Sequence, residues 1–222
     1  MSANTPTVFV IDDNDSFLRG ITRQLRAHGF LVSAYSSATE FLARDLTDAR
    51  GCVVADLEMP GINGIELQNA LSKTENPLAI VFLTGRGDIP TSVSAMRNGA
   101  EDFLTKTAPR KELIGAVTRA LARDESDHRL RARRRELQRR FHSLTPRDSE
   151  VLVHVLRGQP NKQIASDLGI DERSVKRHRT SLMRKLQVQS VAELSHLAHE
   201  AGIVDSDWVT DAVSANSLRA NP

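Results

Sequence analysis

Several short apolar runs in this chain end on residues able to do chemistry. TVFVID closes on Asp12, and Asp13 follows it. GCVVAD closes on Asp56, just ahead of a Pro60-Gly61 turn. LAIVFLT closes on Thr84, and EDFLT is followed at once by Lys106. Three carboxylates brought together repel one another, and a divalent cation relieves that repulsion. Mg2+ suits such a site, because it takes oxygen ligands and keeps several waters while using only one or two carboxylates. An aspartate can also act as a covalent phosphoryl acceptor. A lysine can neutralise the incoming phosphoryl oxygens, and a threonine hydroxyl can donate to one of them. Phosphoryl transfer asks for little more, since its catalysis is mostly positioning and charge stabilisation. Taken singly, each of these residues could be no more than a helix cap. They make a site only if the fold gathers the strand ends.

The first half of the chain predicts such a fold. Segments 7–12, 30–35, 51–56, 78–84 and 101–105 are short and rich in Val, Ile and Phe, as buried strands are. Between them lie segments of helical spacing, such as Phe17, Ile21, Leu25 and His28. Gly29 and Gly99 stand where helices would stop. The alternation implies βαβ units and a parallel sheet covered on both faces. Five strands in so short a span suit a flavodoxin-like sheet, in which strand 3 neighbours strands 1 and 4. Functional groups then collect beyond the carboxyl ends of the strands, where Asp12, Asp13, Asp56, Thr84 and Lys106 all fall.

The segments VIDDND, VVADLEMPGINGIEL, VFLTGRGD and GAEDFLTK together resemble the signatures of response-regulator receiver domains, in order and spacing over residues 7–122. The resemblance implies Asp56 as the phosphorylated residue and Mg2+ as cofactor. Asp13 and Asp56 would hold the ion, with Asp12 acting through water and the Glu58 backbone carbonyl as a further ligand. Thr84 would move toward the phosphoryl group, and Phe103 would turn inward as the switch aromatic. Glu58 and Arg86 occupy positions that tune phosphoryl lifetime in that family. One departure stands out: the family has Lys-Pro with a cis bond after the fifth strand, and this chain has Lys106-Thr107. A cis bond before a non-proline costs about 2.5–4 kcal/mol, so the loop either bears that strain or is rebuilt in trans.

The second half has another character. Residues 129–185 hold 16 Lys/Arg against 6 Asp/Glu, whereas residues 1–123 hold 13 against 14. Such asymmetry suggests that one half meets a polyanion. From Arg110 a helix begins with the stripe Leu113, Ile114, Val117 and Leu121, and its arginine-rich continuation reads as a solvated linker helix. Thr145 is a good N-cap and Pro146 suits a first helical turn. Four short helices fit residues 145–202, with breaks at RGQPN, LGID and LQVQS. Two of them flank the tight LGID turn, as in a helix-turn-helix that lays its second helix in the major groove of DNA.

Here LTPRDSEVL, GQPNKQIASDLGI and SVKRHRTSLMRKL are similar to the LuxR-type DNA-binding domain, across residues 143–202. The match implies Lys176, Arg177 and Thr180 at bases, with Lys162, Arg173, Ser174, Arg179 and Lys185 at or near phosphates. Helix 190–200 would help dimerise the DNA-bound form. The expected layout is a receiver domain over 1–123, a helical linker over 124–142, the DNA-binding domain over 143–202 and a disordered tail over 203–222. The whole chain resembles a FixJ/NarL-family response regulator. That implies phosphorylation by a cognate histidine kinase, pairing of receivers, and binding to promoter DNA, with RNA polymerase a further candidate partner.

Composition sets the frame for these readings. The chain has 222 residues and one cysteine, Cys52, which rules out an internal disulfide and suits a reducing, cytoplasmic setting. No segment approaches the roughly 20 apolar residues that span a bilayer. Two other functions share some of the pattern. A haloacid-dehalogenase-like phosphatase also uses a strand-end Asp with Mg2+, but needs a second Asp two residues on, where this chain has Glu58. A receiver that pairs without phosphate would keep only the DNA-binding role.

Overall fold

The computed structural model describes residues 5–74, 76–85 and 89–203, with the side chains of Ile89 and Thr91 excepted. It divides into two compact units, Met1–His128 and Arg129–Pro222.

In the first unit, strands β1 (Thr7–Ile11), β2 (Leu31–Tyr35), β3 (Gly51–Asp56), β4 (Ala79–Thr84) and β5 (Asp102–Thr105) form one parallel sheet in the order β2-β1-β3-β4-β5. This is the flavodoxin-like arrangement that the alternation of segments predicts. Every residue of β3 is buried, because the strand lies at the centre of the sheet and is covered on both faces. Strand side chains alternate in direction, so each face has its own core. Phe9, Ile11, Val53, Ala55, Ile80 and Phe82 face one side, with helices α2 (Ala38–Leu42) and α3 (Gly64–Ser72) supplying Phe41, Leu67 and Leu71. Val8, Val10, Val54, Val81 and Leu83 face the other, against helix α1 (Asp15–Ala27).

Two glycines are required by close approach. Gly51 opens β3 at φ 129°, and a Cβ there would stand 1.8 Å from the Thr7 carbonyl oxygen. At the other end of the strand, a Cβ on Gly64 would stand 2.8 Å from both the Asp56 carbonyl and the Phe82 ring. The start of α3 is thus pressed onto the backbone of Asp56. Helix α4 (Ile89–Arg97) leads into β5.

Helix α5 runs unbroken from Arg110 to His142, a span of 33 residues. Leu113, Ala116, Val117 and Ala120 complete the core on the α1 side of the sheet. Arg50 ties the same stretch to the start of β3, with Nε 2.9 Å from Asp124 and Nη2 2.6 Å from Glu125.

The second unit is helical: the end of α5, then α6 (Pro146–Leu156), α7 (Asn161–Leu168), α8 (Glu172–Leu186) and α9 (Val191–Ala201). Its core joins Val151, Leu152, Ile164, Val175, Leu182, Leu186, Leu194 and Ala198. Thr145 caps α6 by accepting from the Asp148 amide, and Pro146 opens the helix.

Two details differ from the solvated linker and tail that the charge pattern suggests. Leu137 and Phe141 of the linker stretch are fully buried in the helical core, and Asp124 is buried against Arg50. Linker side chains also close α9: Gln138 and Arg134 donate to the Ala201 carbonyl, and Arg133 pairs with Glu200. The apolar positions here are sparse but correctly spaced, and tertiary packing uses them. Ile203, at the start of the expected tail, is buried in the same core. The rest of that tail, 204–222, lies outside the described residues, as does Arg86.

Candidate functional site

Parallel register brings the strand ends level. Ile11 pairs with Ala55, Asp56 with Leu83, and Thr84 with Thr105. The residues just beyond those ends therefore converge. Asp12, Asp13 and Asp56 each offer an oxygen within 4.8 Å of the others. Asp12 and Asp56 are buried, while Asp13 is exposed at the rim. The Asn14 amide donates to Asp12 Oδ1 at 2.9 Å, and the Glu58 amide to Asp56 Oδ1 at 3.3 Å. The Glu58 side chain stays exposed.

Lys106 reaches in from the far side. Its Nζ lies 2.7 Å from Asp12 Oδ2 and 2.7 Å from Asp56 Oδ2. Burial works against its charge, but hydrogen bonds and the charges of Asp12 and Asp56 outweigh that and raise the Lys106 pKa. For Asp12, burial is the largest influence. Aided by the charge of Asp56, it raises the carboxyl above its ordinary value despite the Lys106 and Asn14 hydrogen bonds. One lysine among three acids leaves surplus negative charge, so the donor set fits a hard divalent cation such as Mg2+.

The loop that carries Lys106 is rebuilt in trans, since every peptide bond among the described residues is trans. The Lys106 amide donates to the Thr84 carbonyl at 2.8 Å, and the Ala108 amide to the Thr105 carbonyl at 2.9 Å. Thr84 is fully buried at the end of β4. Phe103 is half-buried on β5, its ring centroid 6.1 Å from that of Phe82.

In the helical unit, α7 ends on Gly169 in the left-handed conformation, and Asp171 caps α8 by accepting from the Ser174 amide and hydroxyl at 2.8 Å. Arg173, Lys176, Arg177, Thr180 and Arg184 are exposed on α8, and Lys162 is exposed on α7. They form a basic face suited to DNA. Three residues expected near phosphates have protein partners. Arg179 donates to Asn161 at 3.0 Å, and Ser174 is held by Asp171. Lys185 Nζ sits 2.8 Å from the buried Asp148, which also accepts from His178 Nδ1 at 2.8 Å and from the Ser181 hydroxyl at 3.4 Å.

Asp148 is a buried structural carboxylate of the DNA-binding unit that sequence reasoning passed over. It was legible: it lies on the apolar stripe Leu144, Val151, Leu152 and Val155, where a carboxylate must find partners or cost stability. Burial raises its pKa, but hydrogen bonds from Lys185, His178 and Thr145 prevail and hold it below the ordinary value.

Both units match known families. Residues 8–118 match the response regulator receiver domain, and residues 142–198 match the bacterial regulatory proteins of the luxR family. The chain belongs to the LuxR-type response regulators. This response regulator is 37% identical over 203 residues to the transcriptional regulatory protein FixJ of Azorhizobium caulinodans, covering 91% of this chain and 96% of that one. It is 37% identical over 196 residues to nodulation protein W of Bradyrhizobium diazoefficiens, covering 88% of this chain and 86% of that one. Among solved structures, the response regulator StyR matches with a TM-score of 0.75 and 42% identity, over 88% of this chain and 99% of that one. Full-length FixJ from B. japonicum matches with a TM-score of 0.55 and 33% identity, over 91% and 100%. Receiver and LuxR-type domains together make the chain a transcriptional response regulator. Among the described residues, no helix is long and apolar enough to cross a membrane.

Proposed function

We propose that Asp56 accepts a phosphoryl group from the phosphohistidine of a cognate kinase, and that this event switches DNA binding by the second unit. The observation that carries the proposal is Lys106 Nζ at 2.7 Å from both Asp12 and Asp56, beside the exposed Asp13. An Asp56 carboxylate oxygen attacks phosphorus; the phosphorus–nitrogen bond of the donor breaks, and the leaving imidazole takes up a proton. Lys106 shifts from the Asp56 carboxylate to the new phosphoryl oxygens and balances their charge. Asp12, Asp13 and Asp56, with the Glu58 carbonyl, would hold Mg2+. When bound, the ion neutralises charge on the transferring group.

The modified Asp56 draws in the Thr84 hydroxyl, and Phe103 follows toward Phe82. This is a two-state element biased by one new charge cluster. Val93 and Met96 stand exposed on α4, an apolar surface suited to pairing of two receivers. Two DNA-binding units held together then read two half-sites. Lys176, Arg177 and Thr180 meet bases, while Lys162 and Arg173 meet phosphates. The protein acts in the cytoplasm as a regulator rather than as an enzyme that turns over a separate substrate, and RNA polymerase is a natural partner. The domain limits of this reading are 1–123, 124–142 and 143–202.

The test is an intact mass after incubation with acetyl phosphate and Mg2+, with Asp56→Asn alongside. One phosphoryl group on the parent and none on the variant is the expected result. No uptake by a folded sample, from acetyl phosphate or from candidate kinases, would overturn the proposal in favour of phosphate-independent pairing.

A further inference from the structure

Lys106 has a third neighbour that is not an acid. Its Nζ lies 4.6 Å from the centroid of the Phe17 ring. An ammonium over an aromatic face at this range is attracted by the ring quadrupole. We infer that Phe17 is a positioning residue for phosphoryl transfer: its ring holds the Lys106 ammonium over the acidic pocket while the carboxylates change partners. The inference rests on Asp56 being the phosphoryl acceptor.

The ring is well placed for this. Phe17 is the third residue of α1, and its amide is held by the Asn14 cap at 3.0 Å. Its side chain is half-buried and packs against the core formed by α1, α5 and the sheet. One part of the ring is therefore anchored in apolar surroundings, and its face meets the cation. The Lys106 side chain is only 19% exposed, so water screens the contact weakly.

The need for a neutral support follows from the chemistry of the pocket. Asp12 and Asp56 hold Lys106 only while they are free of other cations and unmodified. Both are needed for metal and phosphoryl binding, and Asp56 loses its carboxylate charge when it is phosphorylated to an acyl phosphate. A contact that takes no part in these exchanges keeps the lysine at hand throughout. The loop adds to the need, because Lys106 is followed by Thr107 in trans and not by the ring of a proline. The Lys106 amide donates to the Thr84 carbonyl, which fixes the backbone and leaves the aim of the long side chain to its neighbours.

The experiment is a double-mutant cycle in the full chain, using Phe17→Leu, Phe17→Tyr, Lys106→Met and the pair Phe17→Leu/Lys106→Met. Phosphorylation rate with acetyl phosphate is measured at saturating Mg2+, Mg2+ affinity by calorimetry, and folding by a thermal melt. Phe17→Leu should slow phosphorylation about three- to tenfold, with Phe17→Tyr near the parent rate. Neither should move the Mg2+ dissociation constant more than about twofold. In the Lys106→Met background, Phe17→Leu should have no further effect. In the metal-free protein, the Lys106 ε-methylene protons should show a ring-current shift that Phe17→Leu removes. Additive rate losses, a Tyr variant as slow as Leu, or an unshifted Lys106 would each overturn the inference. If the parent takes up no phosphate while the ring-current shift is present, the acceptor role of Asp56 fails and the contact itself stands.

Discussion

Each unit of this protein buries an aspartate against a lysine, and the two pairs have opposite balances. In the sheet unit, Lys106 is shared between Asp12 and Asp56, with Asp13 beside them. Acid exceeds base, and the buried Asp12 carboxyl is raised above its ordinary value. In the helical unit, Asp148 alone receives Lys185, His178 and Ser181, and its carboxyl is lowered. The first cluster is incomplete without further positive charge, so its donor set suits a divalent cation. The second is satisfied by its own chain and serves to hold α8 against α6. A buried acid–lysine pair therefore says little by itself; the surplus of one sign is what distinguishes a reactive site from a structural one.

That contrast can be broken at either end. The largest effect is expected at Asp56, where Asn keeps the shape and removes the attacking oxygen. Phosphoryl uptake should be lost entirely, while the thermal melt stays close to that of the parent. Next comes Asp148→Ala. Removing one partner of a buried pair strands the others, at a cost of about 3–5 kcal/mol. The second unit should melt earlier under denaturant, and DNA affinity should fall with it. Receiver phosphorylation should be unchanged. Equal losses in both units would sink the structural reading of Asp148.

A third comparison separates the lysines and arginines of the helical unit. Arg177→Ala should weaken binding to a specific site by about 1–3 kcal/mol and relax preference at one base position. Lys162→Ala should weaken all sequences alike and lower the salt slope by about one. Lys185→Met should lower stability and leave the salt slope alone, since its ammonium is taken up by Asp148. A slope reduced by Lys185→Met would place that lysine at a phosphate after all.

The smallest effect concerns pH. A carboxyl lowered in the folded state binds fewer protons there than when unfolded, so its stabilisation is complete above the ordinary value of 3.8 and is lost as pH falls through the lowered one. Stability of the helical unit should drop more steeply below that value in the parent than in Asp148→Asn. Urea melts across this range would show parallel curves if Asp148 carried no such linkage.

Much of this was readable from the chain alone. Strand ends carrying Asp12, Asp56 and Thr84 follow from short apolar runs that stop on polar residues. The parallel sheet follows from their alternation with helical spacing. The α7–α8 turn follows from Gly169 and the cap Asp171. Sequence also determined which residues are available: three acids, one threonine and one lysine at corresponding strand ends, and a basic second half. Tertiary structure alone decided how those groups share their charge. Lys106 meets Asp12, Asp56 and the Phe17 ring because parallel register and the trans loop bring three separate segments to one point. Lys185 turns to Asp148 instead of solvent because α8 lays one stripe against α6. Leu137 and Phe141 leave the linker for the helical core, because a sparse apolar spacing is enough once a partner surface is present. The physical reason is common to all three. A residue type fixes which interactions are possible, whereas distance and burial, set by packing between distant segments, fix which ones win.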